Sequence, residues 1–132
     1  MKNLSQRIAI AAALTMALYA ALASAQEAGP SKLSCASADR STLLEATLRL
    51  DTPKPRLTNL MVVSHGSVYR PTVDAKTISE FFYDSTLILI RGDFAGGKLD
   101  FSVQPSVSEA GAWSGPVVTP NSKTATLSCD LQ

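Results

Sequence analysis

Beyond residue 31 the chain is dominated by alternation of apolar and polar side chains, the period of a half-buried strand. Leu33 and Cys35 share one parity. Leu44, Ala46, Leu48 and Leu50 share a face, with Glu45, Thr47, Arg49 and Asp51 on the other. Asp51-Thr52-Pro53-Lys54-Pro55 ends that strand, because neither proline can donate to a ladder. Leu57 to Val63 reads as the next strand, Ser64-His65-Gly66-Ser67 as a turn, and Val68-Tyr69-Arg70 as a short return that stops at Pro71. The one stretch with helical character is Thr72 to Tyr83. Thr77-Ile78-Ser79-Glu80 has capping-box form, and Ile78, Phe81 and Phe82 would share a helical face, so a short helix is expected near Ile78 to Phe82.

Thr86 to Ala95 and Lys98 to Gln104 flank Gly96-Gly97, a pair suited to a two-residue type I′ hairpin turn. That turn would set Phe94 opposite Leu99, Asp93 opposite Asp100, Gly92 opposite Phe101 and Ile90 opposite Val103. Phe94, Leu99, Phe101, Ile90 and Val103 then share one side, and Asp93, Asp100, Arg91 and Ser102 the other. Leu87-Ile88-Leu89-Ile90 is apolar at every position, which predicts burial on both faces, with Asp84 and Arg91 as charged gatekeepers. Val117-Val118, the turn Thr119-Pro120-Asn121-Ser122 and the return Thr124 to Leu131 complete the pattern, with Ala125, Leu127, Cys129 and Leu131 on one face. The expected fold is all-β: a small antiparallel sandwich or barrel of about seven or eight strands, with one short helix and one disulfide.

The first 25 residues do not belong to this pattern. Lys2 and Arg7 precede an apolar run from Ile8 to Leu22, and Ala23-Ser24-Ala25 is a small-x-small cleavage site. These residues predict a cleaved signal peptide, then a flexible lead over 26–31 and a single β domain over 32–132. The run is shorter than the roughly 20 residues that span a bilayer, so no stable membrane anchor is expected after cleavage. Export to the periplasm or the extracellular space is the expected destination.

Removing the signal changes the charge balance. It carries two of the twelve Lys/Arg and none of the eleven Asp/Glu, so ten bases face eleven acids and the net charge falls to −1. A near-neutral domain gives no electrostatic reason to expect nucleic acid as a partner. Export also changes the reading of Cys35 and Cys129. In an oxidising compartment an even pair in a small domain predicts one disulfide, here between core-facing positions of the first and last strands. A charged Lys32-Leu33-Ser34 before Cys35 argues against lipidation there, and a single histidine leaves a Cys/His zinc site short of ligands.

Candidate chemistry is sparse. His65 is the only histidine, lies in a turn, and has no carboxylate or nucleophile tied to it by a motif. Gly111-Ala112-Trp113-Ser114-Gly115 is not a nucleophile elbow, because the serine is displaced and Pro116 blocks the required helix. Trp113 reads as a core or rim aromatic. Asp93, Asp100 and Arg91 read as a solvated charge cluster rather than a calcium site. Arg91-Gly92-Asp93 spells an adhesive tripeptide but falls within a strand, and Gly96-Gly97-Lys98 lacks the spacing of a phosphate loop. No catalytic residues, metal or cofactor are expected. Turn residues around His65-Gly66 and Trp113-Ser114 form the expected contact region.

The layout resembles that of periplasmic inhibitors of C-type lysozyme: exported, small, all-β, with a cysteine near each end. That family's serine-glycine and lysine loop motifs have no counterpart here, so the resemblance is one of architecture. It implies an inhibitor-like protein binder. The expectation is therefore a small exported, non-enzymatic binding module for a protein, a glycan or a small apolar ligand of the envelope or medium. The alternative is a structural or assembly component of the envelope that uses β-strand addition.

Overall fold

A computed structural model describes residues 29–132, and the predicted signal peptide with its cleavage site lies outside them. The described chain forms nine strands: β1 Pro30–Ser37, β2 Thr42–Arg49, β3 Arg56–Ser64, β4 Ser67–Tyr69, β5 Ile78–Tyr83, β6 Ile88–Phe94, β7 Gly97–Pro105, β8 Ala112–Val118 and β9 Thr124–Leu131. All pair antiparallel in one open sheet of order β4-β3-β2-β1-β9-β8-β7-β6-β5. The all-β class and the Cys35–Cys129 disulfide are as expected. The strand count and the open edges differ from the seven- or eight-stranded sandwich or barrel, and β1 begins two residues inside the predicted lead.

Topology forces the sheet to roll. Nine flat strands would set the edge strands about 38 Å apart at ~4.8 Å per strand. The connection between those edges, Arg70–Thr77, can reach only about 30 Å when fully extended. The edges therefore turn toward each other, and the rings of Tyr69 on edge strand β4 and Phe94 at the end of β6, the neighbour of edge strand β5, meet edge-on with centroids 6.3 Å apart. The two edge strands are not hydrogen-bonded neighbours.

Rolling places the apolar face inside. Cross-strand register lines up Tyr69, Val62, Leu44, Cys35, Cys129 and Trp113 in one inward row. Leu33, Leu48, Ile88, Ile90, Phe101, Val103 and Leu127 lie on the same face, all fully buried. The row explains the disulfide. Lys32 and Gln132 exchange both backbone hydrogen bonds, so three steps along the ladder Cys35 and Cys129 form a non-hydrogen-bonded pair, where side chains approach most closely. Their Cα atoms are 4.0 Å apart. Leu89 is buried although it points outward, in accord with the uninterrupted apolar run around it.

Two local expectations are corrected. Residues Ile78–Tyr83 form a strand and not a helix. Asp74 takes the backbone N–H groups of Lys76 and Thr77 in a tight turn, so the chain enters Ile78 already extended, and Glu80 pairs with Arg91 instead of capping. The β6–β7 turn is centred on Ala95-Gly96, with φ of 56° and 75°, not on Gly96-Gly97. Phe94 thus faces Gly97, Gly92 faces Leu99, Ile90 faces Phe101, Asp93 faces Lys98 and Arg91 faces Asp100. The slip is two residues, so every side chain keeps its predicted face while every partner changes. Carboxylates that would have repelled now face cations: Arg91 to Asp100 at 3.3 Å and Lys98 to Asp93 at 3.1 Å.

Candidate functional site at the turn end

Strands β1, β3, β6 and β8 all run toward the same end of the sheet, where their turns gather. All four non-glycine residues with left-handed backbone among the described residues lie there, one in each turn: Arg40 (61°), His65 (51°), Ala95 (56°) and Ser122 (64°). Each costs about 1–2 kcal/mol relative to ordinary backbone, and such outliers persist only where the surroundings impose them. His65-Gly66 and Ala95-Gly96 are both hairpin turns with two positive φ values, the geometry that favours Asn-Gly or Gly-Gly; here histidine and alanine take the first place.

The surroundings that impose this geometry are polar and buried. Ser37, Thr42, Ser64 and Thr119, the four buried polar residues among those described, all point inward at this end. Asp39 organises the β1–β2 turn: one carboxylate oxygen accepts from the Ser37 hydroxyl (2.8 Å), the Ser41 hydroxyl (2.8 Å) and the Ser41 N–H (3.0 Å). Those donors, the Ser41 backbone foremost, lower the Asp39 pKa to about 2. Ser37 Oγ in turn accepts from the Thr42 N–H. The His65 N–H donates to the Ser41 carbonyl at 2.8 Å, and Asn121 Nδ2 donates to the Ser64 carbonyl at 3.1 Å. The hydroxyls of Ser64 and Thr119 lie 2.9 Å apart. Gly97 completes the packing, because its missing side chain lets the β6–β7 turn rest on the backbone of Pro120. One atom stands outside this network: Thr42 Oγ1 is buried without a hydrogen-bond partner.

The geometry of Ser64 and His65 is unlike that of a positioned nucleophile and its base. Thr119 Oγ1 donates to Asn121 Oδ1, so the shorter of the two Ser64 hydroxyl contacts, 2.9 Å to Thr119, is the one that can take its single proton. His65 Nδ1 is 3.4 Å from a hydroxyl that is fully buried, beyond the reach of any substrate.

At the rim, Val68, Tyr69, Arg70, Pro71, Phe94 and Ala95 line an open cleft of about 230 Å³, with Val68 56% exposed. That is smaller than a typical small-molecule pocket, and suits a single side chain of a larger partner. Arg40 and Lys123 lie in the turns of this end without a salt-bridge partner among the described residues, the ionised Asp39 offsets one of them, and Arg70 lies below the cleft with its guanidinium on Met61.

The structure separates the predicted contact residues. His65 and Gly66 lie at the turn end. Trp113 lies near the start of β8, at the opposite end, buried on the inward face opposite Cys129 and tilted against Tyr83 with ring centroids 6.3 Å apart. Ser114 follows on the outward face, opposite Gln104 and Ser128. Arg91-Gly92-Asp93 is held in β6, its arginine bridging Glu80 and Asp100 and its aspartate on Lys98. No group of three or more His, Cys, Asp or Glu among the described residues could hold a metal ion.

Sequence reasoning missed Asp39, Thr42, Ser64, Thr119 and Asn121. A signal existed for two of them: the parity of Leu44 and Ala46 places Thr42 inward, and that of Leu60 and Val62 does the same for Ser64. No protein-family model, curated protein or solved structure matches the chain.

Proposed function

We propose that this chain is a small exported, non-enzymatic binding module that engages a protein partner through the turn end of its sheet. The observation that carries the reading is the concentration of left-handed residues and buried polar groups in four mutually braced turns, beside an exposed valine and unpaired cations. A rigid, pre-organised set of short turns loses little entropy on binding. Large side chains fill the inward face, which supports a surface contact over an apolar ligand or glycan held inside. The disulfide fits an oxidising compartment, and with the predicted signal peptide it supports export. The layout shared with periplasmic lysozyme inhibitors is in keeping with a protein target.

The test is affinity capture from envelope extract with the exported protein, its Val68→Glu and Arg40→Glu variants, and Glu109→Arg at the opposite end. The reading expects a partner retained by the parent and by Glu109→Arg, and lost by the other two. A partner retained equally by all four would overturn it. The second reading, envelope assembly by strand addition, is favoured by one observation: β5 is an open edge.

A further inference from the structure

We propose that the second half of β5 accepts an extended polypeptide segment whose alternate side chains read basic, aromatic or aliphatic, basic. This inference rests on the strand-addition reading and does not depend on the turn end.

Backbone geometry defines the acceptor. The Asp84 N–H donates to the Leu87 carbonyl across the β5–β6 turn, so by alternation Phe82 and Glu80 point their backbone groups at β6. Phe81 and Tyr83 therefore present their N–H and C=O groups to the open edge. An extended backbone has the spacing to satisfy all four.

The edge is protected over one half only. Toward Ile78 the ladder is interrupted by a bulge between Ile78 and Glu80, and Thr77 and Ser79 bond to β6, the devices that normally blunt an edge. Toward Tyr83 there is no bulge, proline or lysine, and Phe82 is 43% exposed.

Side-chain parity gives the occupant its chemistry. Glu80 and Phe82 project from the outward face, and Asp84 follows in the turn, exposed, with one carboxylate oxygen accepting from the Thr86 N–H and hydroxyl and the Leu87 N–H. Arg91 already serves both Glu80 and Asp100, so this outward surface keeps excess negative charge. A strand laid along it sets alternate residues beside acid, aromatic and acid. A second copy of this chain fits poorly: with phenylalanine facing phenylalanine across a two-fold axis, acid would face acid at both ends of the pairing.

The experiment titrates the purified exported protein, disulfide intact, against a labelled eight-residue peptide. It carries lysine, phenylalanine and lysine at alternate positions among threonines, and binding is followed by fluorescence anisotropy and amide hydrogen exchange. The expected result is saturable binding with new protection of the Phe81 and Tyr83 amides. Replacing both lysines by glutamate weakens it roughly tenfold, and N-methylation of alternate peptide amides abolishes it. Phe82→Lys weakens binding at unchanged melting temperature, and Arg40→Glu leaves it unaltered. No saturation by about 1 mM, equal binding of the N-methylated peptide, or protection elsewhere would overturn the proposal. Loss of binding in Arg40→Glu alone would also overturn it, by moving the contact to the turn end.

Discussion

The placement of the β6–β7 turn makes a quantitative demand on three adjacent residues. In Gly97→Ala the new methyl would collide with the Pro120 carbonyl oxygen and stand 2.7 Å from its carbonyl carbon and 2.9 Å from its Cα. These are backbone atoms of a braced turn, so the strain cannot be shed by a rotamer change. Overpacking costs about 1–3 kcal/mol, and three backbone atoms inside 3.0 Å put this case at the upper end. The lower entropy of the unfolded alanine chain returns about 0.4–1 kcal/mol, for a net loss of about 2 kcal/mol. Gly96→Ala meets open space and loses only through its positive φ, about 1 kcal/mol net by the same reasoning. Ala95→Gly relieves a left-handed alanine while adding unfolded-state freedom, and comes out near zero. In thermal unfolding, Gly97→Ala should melt about 8 °C or more below the parent and Gly96→Ala about half as far below. A turn centred on Gly96-Gly97 would instead make the two glycines equally sensitive. Gly97→Ala melting no lower than Gly96→Ala would refute the docking of this turn on Pro120.

Other consequences follow from the same geometry. Closing a chain across a sequence separation of 94 is worth about 4.7 kcal/mol in the chain-entropy model, so Cys35→Ala/Cys129→Ala should fall far in urea stability; a loss under about 1 kcal/mol contradicts the staple role. Thr42→Val replaces a buried, unpartnered hydroxyl by a methyl and should gain about 1 kcal/mol in the same titration; no gain would mean that the hydroxyl is satisfied. Asp39, held at about 2 against an ordinary 3.8, has a depressed folded pKa. Its contribution is present above the unfolded value and lost as pH falls between these two values. Asp39→Asn should flatten the acid limb of the stability profile in that window, and an unchanged limb would refute the role given to its three donors.

Much of the fold was legible because strand periodicity is strict. The faces of Leu44-Ala46-Leu48, of Ile90-Phe101-Val103 and of Leu127-Cys129 follow from parity alone, and the disulfide follows from parity plus compartment. The exact partners were not legible in the β6–β7 hairpin. Ala95-Gly96 and Gly96-Gly97 both satisfy the local chemistry, and only the distant Pro120 decides between them. The helix expected near Ile78 failed for a related reason: aromatic and β-branched residues fit either period, and pairing with β6 made the choice. The open sheet and the gathering of four turns depend on the strand order β2-β1-β9-β8, long-range information absent from any local pattern. Hence local pattern points to His65-Gly66 but not to its neighbours from other turns, and it groups Trp113-Ser114 with His65-Gly66 although the two lie at opposite ends.

Site-specific photocrosslinking in cells tests most directly the proposal that the turn end is the contact surface. A photoreactive residue replaces His65 in one strain and Glu109, at the opposite end, in another. The account predicts a discrete crosslinked adduct from position 65 and none from position 109. An adduct from position 109 alone, or equal adducts from both, would contradict it.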